Sequence, residues 1–167
     1  MDLSSLKLKS PYILILIGPP LSGKTFFYKK FIKEVDSNVT LISRDEIVME
    51  VYGGSDYNTA FKTVNQKEVD RLLISKLISS SKEGKNVIID MTNMTSKRRK
   101  YNLSFFDDEY QKLAIIFPIL KDEEYEARNK KRTLEENKTI PQHVIKNMIS
   151  SYQPIRDDEG FDKVISI

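Results

Sequence analysis

The stretch Ile13-Leu14-Ile15-Leu16-Ile17-Gly18-Pro19-Pro20-Leu21-Ser22-Gly23-Lys24-Thr25 decides the fold of this chain. Five consecutive apolar residues run into the pattern GxxxxGKT, and Phe26, Phe27, Phe31 and Ile32 follow at helical spacing. A strand, a tight loop and a helix in that order make a phosphate-binding loop in its required context. The residue types follow from the chemistry. Gly18 and Gly23 let backbone N–H groups turn inward around a β-phosphate, with Ser22 between them. Lys24 sets a point charge across the terminal phosphates, and Thr25 offers a hydroxyl to Mg²⁺. The helix starting near Gly23 directs its unpaired N–H groups and positive dipole end at the same anion. The expected ligands are ATP or another nucleoside triphosphate, with Mg²⁺. The motif leaves open who receives the phosphate.

Composition bounds the class. A length of 167 residues, 40% of them hydrophobic and 31% charged, suits one domain over 1–167 with a sizeable core. Cysteine is absent, which excludes disulfides, a Cys-based zinc site and a cysteine nucleophile, and points to a reducing, cytoplasmic compartment. The apolar run at 13–17 is too short to cross a bilayer, and the first ten residues lack the apolar core of a signal peptide, so no membrane partner is expected. Lys and Arg number 27 against 24 Asp and Glu, a net charge of +3 that permits a polyanionic partner without requiring one. Basic residues gather at Lys97-Arg98-Arg99-Lys100 and over 128–132, and such runs read first as solvated faces.

The order of elements predicts an α/β fold, a parallel sheet covered by helices on both sides. After the phosphate loop and its helix come a strand at Val39 to Ser43, a short helix from Asp45 to Tyr52, and one long helix carrying Phe61, Val64, Val69, Leu72, Leu73, Leu77 and Ile78 up to Gly84. A buried strand follows at Asn86 to Asp90, then a helix after Ser96 and a second buried strand over Leu113 to Leu120. A charged helix from about Asp122 to Arg132, a polar stretch, a helix after Pro141 and a last strand at Lys163 to Ile167 complete the chain. Ligands in such sheets bind outside the carboxyl ends of the strands, so Gly18 to Thr25, Arg44-Asp45 and Asp90 to Asn93 should share one cleft.

Asp45 suits a carboxylate that accepts a proton from an acceptor hydroxyl, and suits equally the N-cap of the following helix. Arg44 reads as a phosphate ligand or as the partner of an acid. Asp90 fits a carboxylate near Mg²⁺, or an anchor for a neighbouring arginine. Thr92 and Asn93 offer uncharged hydrogen-bonding groups to an acceptor, though Asn93 also suits a turn. Arg128 and Arg132 lie one helical turn apart and so can reach the same phosphates, with an exposed Glu124–Arg128 ion pair as the plain alternative. The region 122–140 reads as a lid. His143 lacks a nucleophile or metal partner and reads as structural. Tyr52, Tyr57 and Tyr101 depart from the apolar helical rhythm, which leaves them available for stacking.

Taken in order, these motifs resemble the 5′-hydroxyl polynucleotide kinase domain of the phage T4 type over nearly the full length. The resemblance rests on Gly18 to Thr25, Ser43-Arg44-Asp45-Glu46, Ile89-Asp90-Met91-Thr92-Asn93, Arg128-Asn129-Lys130-Lys131-Arg132, Ile140-Pro141 and the tail Asp158 to Val164. It implies an adenylate-kinase-like sheet of five parallel strands with a small helical lid. It also implies that Asp45 is the general base, Lys24 and Arg132 stabilise the migrating phosphoryl group, Thr25 binds Mg²⁺ and Arg128 contacts the nucleoside side of the donor. The implied reaction is ATP-dependent phosphorylation of a 5′-hydroxyl end of DNA or RNA in repair or end healing.

One departure bears on the acceptor. The family carries an arginine three residues after its base aspartate, and this chain has Val48 there. Kinases of hydroxymethylated pyrimidines in phage DNA and of small nucleosides or metabolites therefore stay open, as does a non-catalytic ATP-binding switch. The DxTN of Asp90 to Asn93 does not match the DxDxT nucleophile motif of the 3′-phosphatase half, so phosphatase activity is not expected.

Overall fold

A computed structural model describes residues 3–167, with the side chains of 4 and 5 left aside. Its centre is β1, Tyr12–Ile17, every residue of which is buried. An unbroken apolar strand of this kind needs cover on both faces. It has it: β1 pairs in parallel with β3 (Val87–Asp90) on one side and β4 (Gln111–Ile116) on the other. The edge strands are β2 (Thr40–Ser43) and β5 (Lys163–Ser166), giving five parallel strands in the order β2-β3-β1-β4-β5.

The two-residue period of a strand sorts its side chains between two cores. Ile13, Ile15 and Ile17 face α2 (Arg44–Tyr52), α3 (Tyr57–Thr63), α4 (Gln66–Lys82) and α5 (Ser96–Leu103), packing with Val48, Ala60, Leu73 and Leu103. Tyr12, Leu14 and Leu16 face α1 (Lys24–Glu34) through Phe27 and Phe31. After β4 come α6 (Asp122–Glu136) and α7 (Gln142–Ser150).

Several boundaries depart from expectation. The long helix up to Gly84 is two helices, because Val64 adopts extended backbone and Asn65 caps α4 by accepting from Lys67 N at 3.0 Å. The strand expected to reach Leu120 ends at Ile116, and Pro118, with no N–H, cannot extend the ladder. The charged helix continues past Arg132 to Glu136, where Asn137 closes it in the left-handed region at φ 52°.

Arg99 corrects the reading of its basic run as a solvated face. Lys97 and Arg98 are exposed, but the Arg99 side chain is 0% exposed and forks onto Glu159, itself fully enclosed, at 2.6 and 2.7 Å. It also donates to the carbonyls of Asn93 and Met94 after β3 and of Pro154. Burial, the largest single influence, pushes the Glu159 carboxyl up, but the hydrogen bonds and charge of Arg99 together with the donors Ser96 and Arg156 N bring the group below its ordinary value. The pair thereby fixes the loop after β3 to the C-terminal segment.

Candidate active site

Leu16, Asp90 and Ser43 stand level across β1, β3 and β2, so the segments that follow them leave the sheet at one end. The phosphate loop is sewn to its neighbour where Gly18 N donates to Thr92 O at 3.0 Å. A Cβ on Gly18 would fall 2.8 Å from Phe117 Cβ, so the start of the loop tolerates no side chain. Leu21 and Gly23 both take positive φ, 65° and 110°, turning the chain back into α1. For Leu21 that conformation is strained, and Arg128 Nη1 holds its carbonyl at 2.9 Å. Ser22 Oγ donates to Pro19 O at 2.8 Å.

Lys24 Nζ lies across this loop, donating to Gly18 O at 2.9 Å and Pro19 O at 2.7 Å. Burial pushes its ammonium down to about 8, against the pull of Asp90 and then Asp45, while Arg132 adds to the fall. Asp90 answers in kind: burial raises its carboxyl, Lys24 opposes, and Asp45 and Glu46 add to the rise. Lys24 and Asp90 thus both feel the charges of Asp45 and Arg132.

The sign of the Lys24 shift gives a pH dependence. An ammonium held at about 8 when folded and 10.5 when unfolded penalises the fold fully below pH 8 and not at all above 10.5, since between those values the unfolded chain binds more proton. The free protein should therefore gain about 2 to 3 kcal/mol relative to Lys24→Met between pH 7.5 and 10. Urea unfolding of both proteins at the two pH values measures it; parallel curves would contradict the buried, charged lysine.

Asp45 is not the cap of α2. Ser43 is, with its Oγ accepting from Glu46 N at 3.5 Å. Asp45 in the first turn is free to turn outward, its side chain 49% exposed, and Oδ2 accepts from the Tyr57 hydroxyl at 2.9 Å. Arg132 Nη2 stands 4.0 Å from the same oxygen, and its Nε lies 3.4 Å from Glu136. Arg128 and Arg132 thus divide the cleft, one on the phosphate loop and one beside Asp45. Glu124 takes no part with Arg128, accepting instead from Lys121 N at 3.2 Å.

Two expected acceptor ligands are engaged elsewhere. Arg44 resolves as the partner of an acid, donating to Asp70 at 2.7 Å and Gln66 at 2.8 Å. Asn93 is 1% exposed and joins the core, donating to Leu16 O and accepting from Asn102. Thr92, half-buried, contributes its carbonyl to Gly18. Val48 is 0% exposed within the core, so that position faces away from the cleft. His143 is exposed at the start of α7. Tyr57 carries no motif, and only its departure from the helical rhythm set it apart in the sequence.

Residues 13–155 match the family described as AAA domain. Among solved structures the chain is similar to one in the Pnkp1/Rnl/Hen1 RNA repair complex, with TM-score 0.69 and 22% identity over 95% of this chain and 52% of that one. It is similar to a chain of the PezAT toxin-antitoxin system of Streptococcus pneumoniae, with TM-score 0.67 and 17% identity over 95% and 67%. Kti12 of Chaetomium thermophilum, in complex with ADP-AlF3, gives TM-score 0.62 and 14% identity over 93% and 88%. At these identities the likeness is one of fold, a phosphate-loop kinase-like sheet. The chain spans 52% of the length of the RNA repair chain.

Proposed function

Since this chain belongs to the AAA domain family, we propose that it is an ATP-dependent phosphotransferase acting on a 5′-hydroxyl end of DNA or RNA. The observation that carries the reading is the approach of Arg132 to 4.0 Å from Asp45; the charges of both also act on Lys24. Asp45 Oδ2 is engaged by Tyr57. Oδ1 is left to accept the hydroxyl proton while the acceptor oxygen forms its bond to the γ-phosphorus and the bridge to the β-phosphate breaks. Lys24 exchanges its loop carbonyls for phosphate oxygens, and Arg132 meets the charge that spreads over the migrating group. Arg128, already on the loop, lies where the donor nucleotide enters. Segment 122–140 acts as the lid.

Mg²⁺ suits this oxygen-rich corner. Thr25 at the start of α1 and Asp90 at the end of β3 are hard oxygen donors, and among the described residues no cluster of three metal-ligating side chains competes with them. Few protein ligands plus substrate phosphates is the usual way this ion is held, and when bound it supplies neutralising charge to those phosphates.

A second reading changes only the alcohol. Val48 stands in the core where the resembled family carries an acceptor-binding arginine, and Arg44 is tied to Asp70, so neither position offers a free cation to an acceptor phosphate. That favours a nucleoside or a hydroxymethylpyrimidine. Labelled ATP offered to 5′-hydroxyl oligonucleotides, to hydroxymethyluracil-containing DNA and to free nucleosides separates the readings. Label on the oligonucleotide end is the expected result; label only on the others overturns the acceptor, and label on none overturns the phosphotransferase.

A further inference from the structure

Helix α3 meets the lid segment and the aspartate at once. Tyr57, its first residue and 8% exposed, gives its hydroxyl to Asp45. The same ring receives two lid cations, with the Arg132 guanidinium carbon 5.6 Å and Lys138 Nζ 4.9 Å from its centroid. The next residue, Asn58, donates to Asn137 O at 2.8 Å and accepts from Thr139 N at 3.4 Å. From this geometry we infer that Tyr57 and Asn58 form a latch, fastening segment 122–140 in its closed position while orienting Asp45. Tyr57 is thereby a positioning residue, and the inference rests on the reading of Asp45 as base and 122–140 as lid.

The two sides of the latch differ in how they are anchored. Helix α3 is fixed to the molecule: Ala60 is 0% exposed in the core, and Asp56 caps the helix by accepting from Thr59 N at 2.9 Å. The lid tip is tied chiefly to itself. Thr133 and Thr139 share a hydroxyl hydrogen bond at 2.8 Å, and Glu136 lies 3.4 Å from Arg132 and 3.7 Å from Lys138. A self-braced tip held by a rigid post releases as a unit when the post's contacts are lost. Because Arg132 and Asp45 meet the same tyrosine, release of the lid withdraws Arg132 and leaves the aspartate oriented by Tyr57 alone.

Two measurements test the two halves. Hydrogen exchange of the nucleotide-free protein reads the latch without any activity: Asn58→Ala and Tyr57→Leu should each speed exchange over 133–140 by about tenfold while β1 and β3 stay protected. Unchanged exchange in the lid segment would overturn the latch. Should Tyr57→Leu loosen β1 and β3 as well, Asn58→Ala decides, since it removes no core atom. Tyr57→Phe keeps the ring and loses only the bond to Asp45. On whichever acceptor the wild type uses, its kcat should fall about tenfold with the KM for ATP within about twofold. A wild-type kcat would overturn the positioning role. If the wild type transfers label to neither oligonucleotides nor nucleosides, the phosphotransferase reading and Tyr57's kinetic role fall together, while exchange still decides the latch.

Discussion

Asp45→Asn should lower phosphoryl transfer by roughly 10²- to 10⁴-fold and leave ATP affinity within about twofold. Asparagine keeps the shape of the side chain and an oxygen that can accept from Tyr57, so the local structure survives. It cannot take the hydroxyl proton. The effect should be clean because Asp45 has no structural duty at the helix start, which Ser43 performs. Exposure of the carboxylate and the engagement of Oδ2 alone leave it one oxygen for an acceptor. Single-turnover transfer from labelled ATP, with calorimetry for nucleotide binding, measures both quantities. Transfer at the wild-type rate would remove Asp45 from the chemistry and give weight to a slow ATP-hydrolysing switch.

Arg132→Ala should reduce turnover by about 10³-fold, with ATP affinity little changed. In the free protein this arginine rests between Glu136, Asp45 and the Tyr57 ring, its side chain 21% exposed. Those contacts hold it beside Asp45, which on the proposed reading is next to the acceptor and away from the ground-state nucleotide. Its interaction should therefore strengthen as charge moves onto the migrating oxygens. Arg132→Lys should recover only part of the loss, since an ammonium lacks the planar fork that meets two oxygens together. The opposite pattern, a weakened KM with kcat intact, would show that Arg132 merely binds nucleotide.

Much of the architecture was readable along the chain because it is encoded over short distances. Ile13 to Ile17 announce a doubly covered strand, and the alternation of strands and helices announces a parallel sheet. Boundaries failed where a side chain competed for the backbone, as Asn65 does in splitting α3 from α4. Asp45 reads along the chain as cap or base alike, and in the structure the capping place belongs to Ser43. Arg44 and Asn93, promising by position alone, are claimed by partners 26 and 77 residues away. Arg99, one of four adjacent basic residues, proved to be the buried clamp on Glu159.

What the sequence determined by itself is the phosphate loop and its sheet, because an apolar run, two glycines and a lysine impose their geometry within a dozen or so residues of chain. What surrounds Asp45 was decided only in three dimensions. Asp45, Tyr57 and Arg132 come from α2, α3 and α6; motifs single out the first and the last, and nothing in the sequence joins Tyr57 to them. Their meeting depends on the packing of helices that each bury a different face, a property of the whole core. Val48 shows the same division: as a letter it is a missing charge, and in the fold it is a core residue that turns the acceptor question elsewhere.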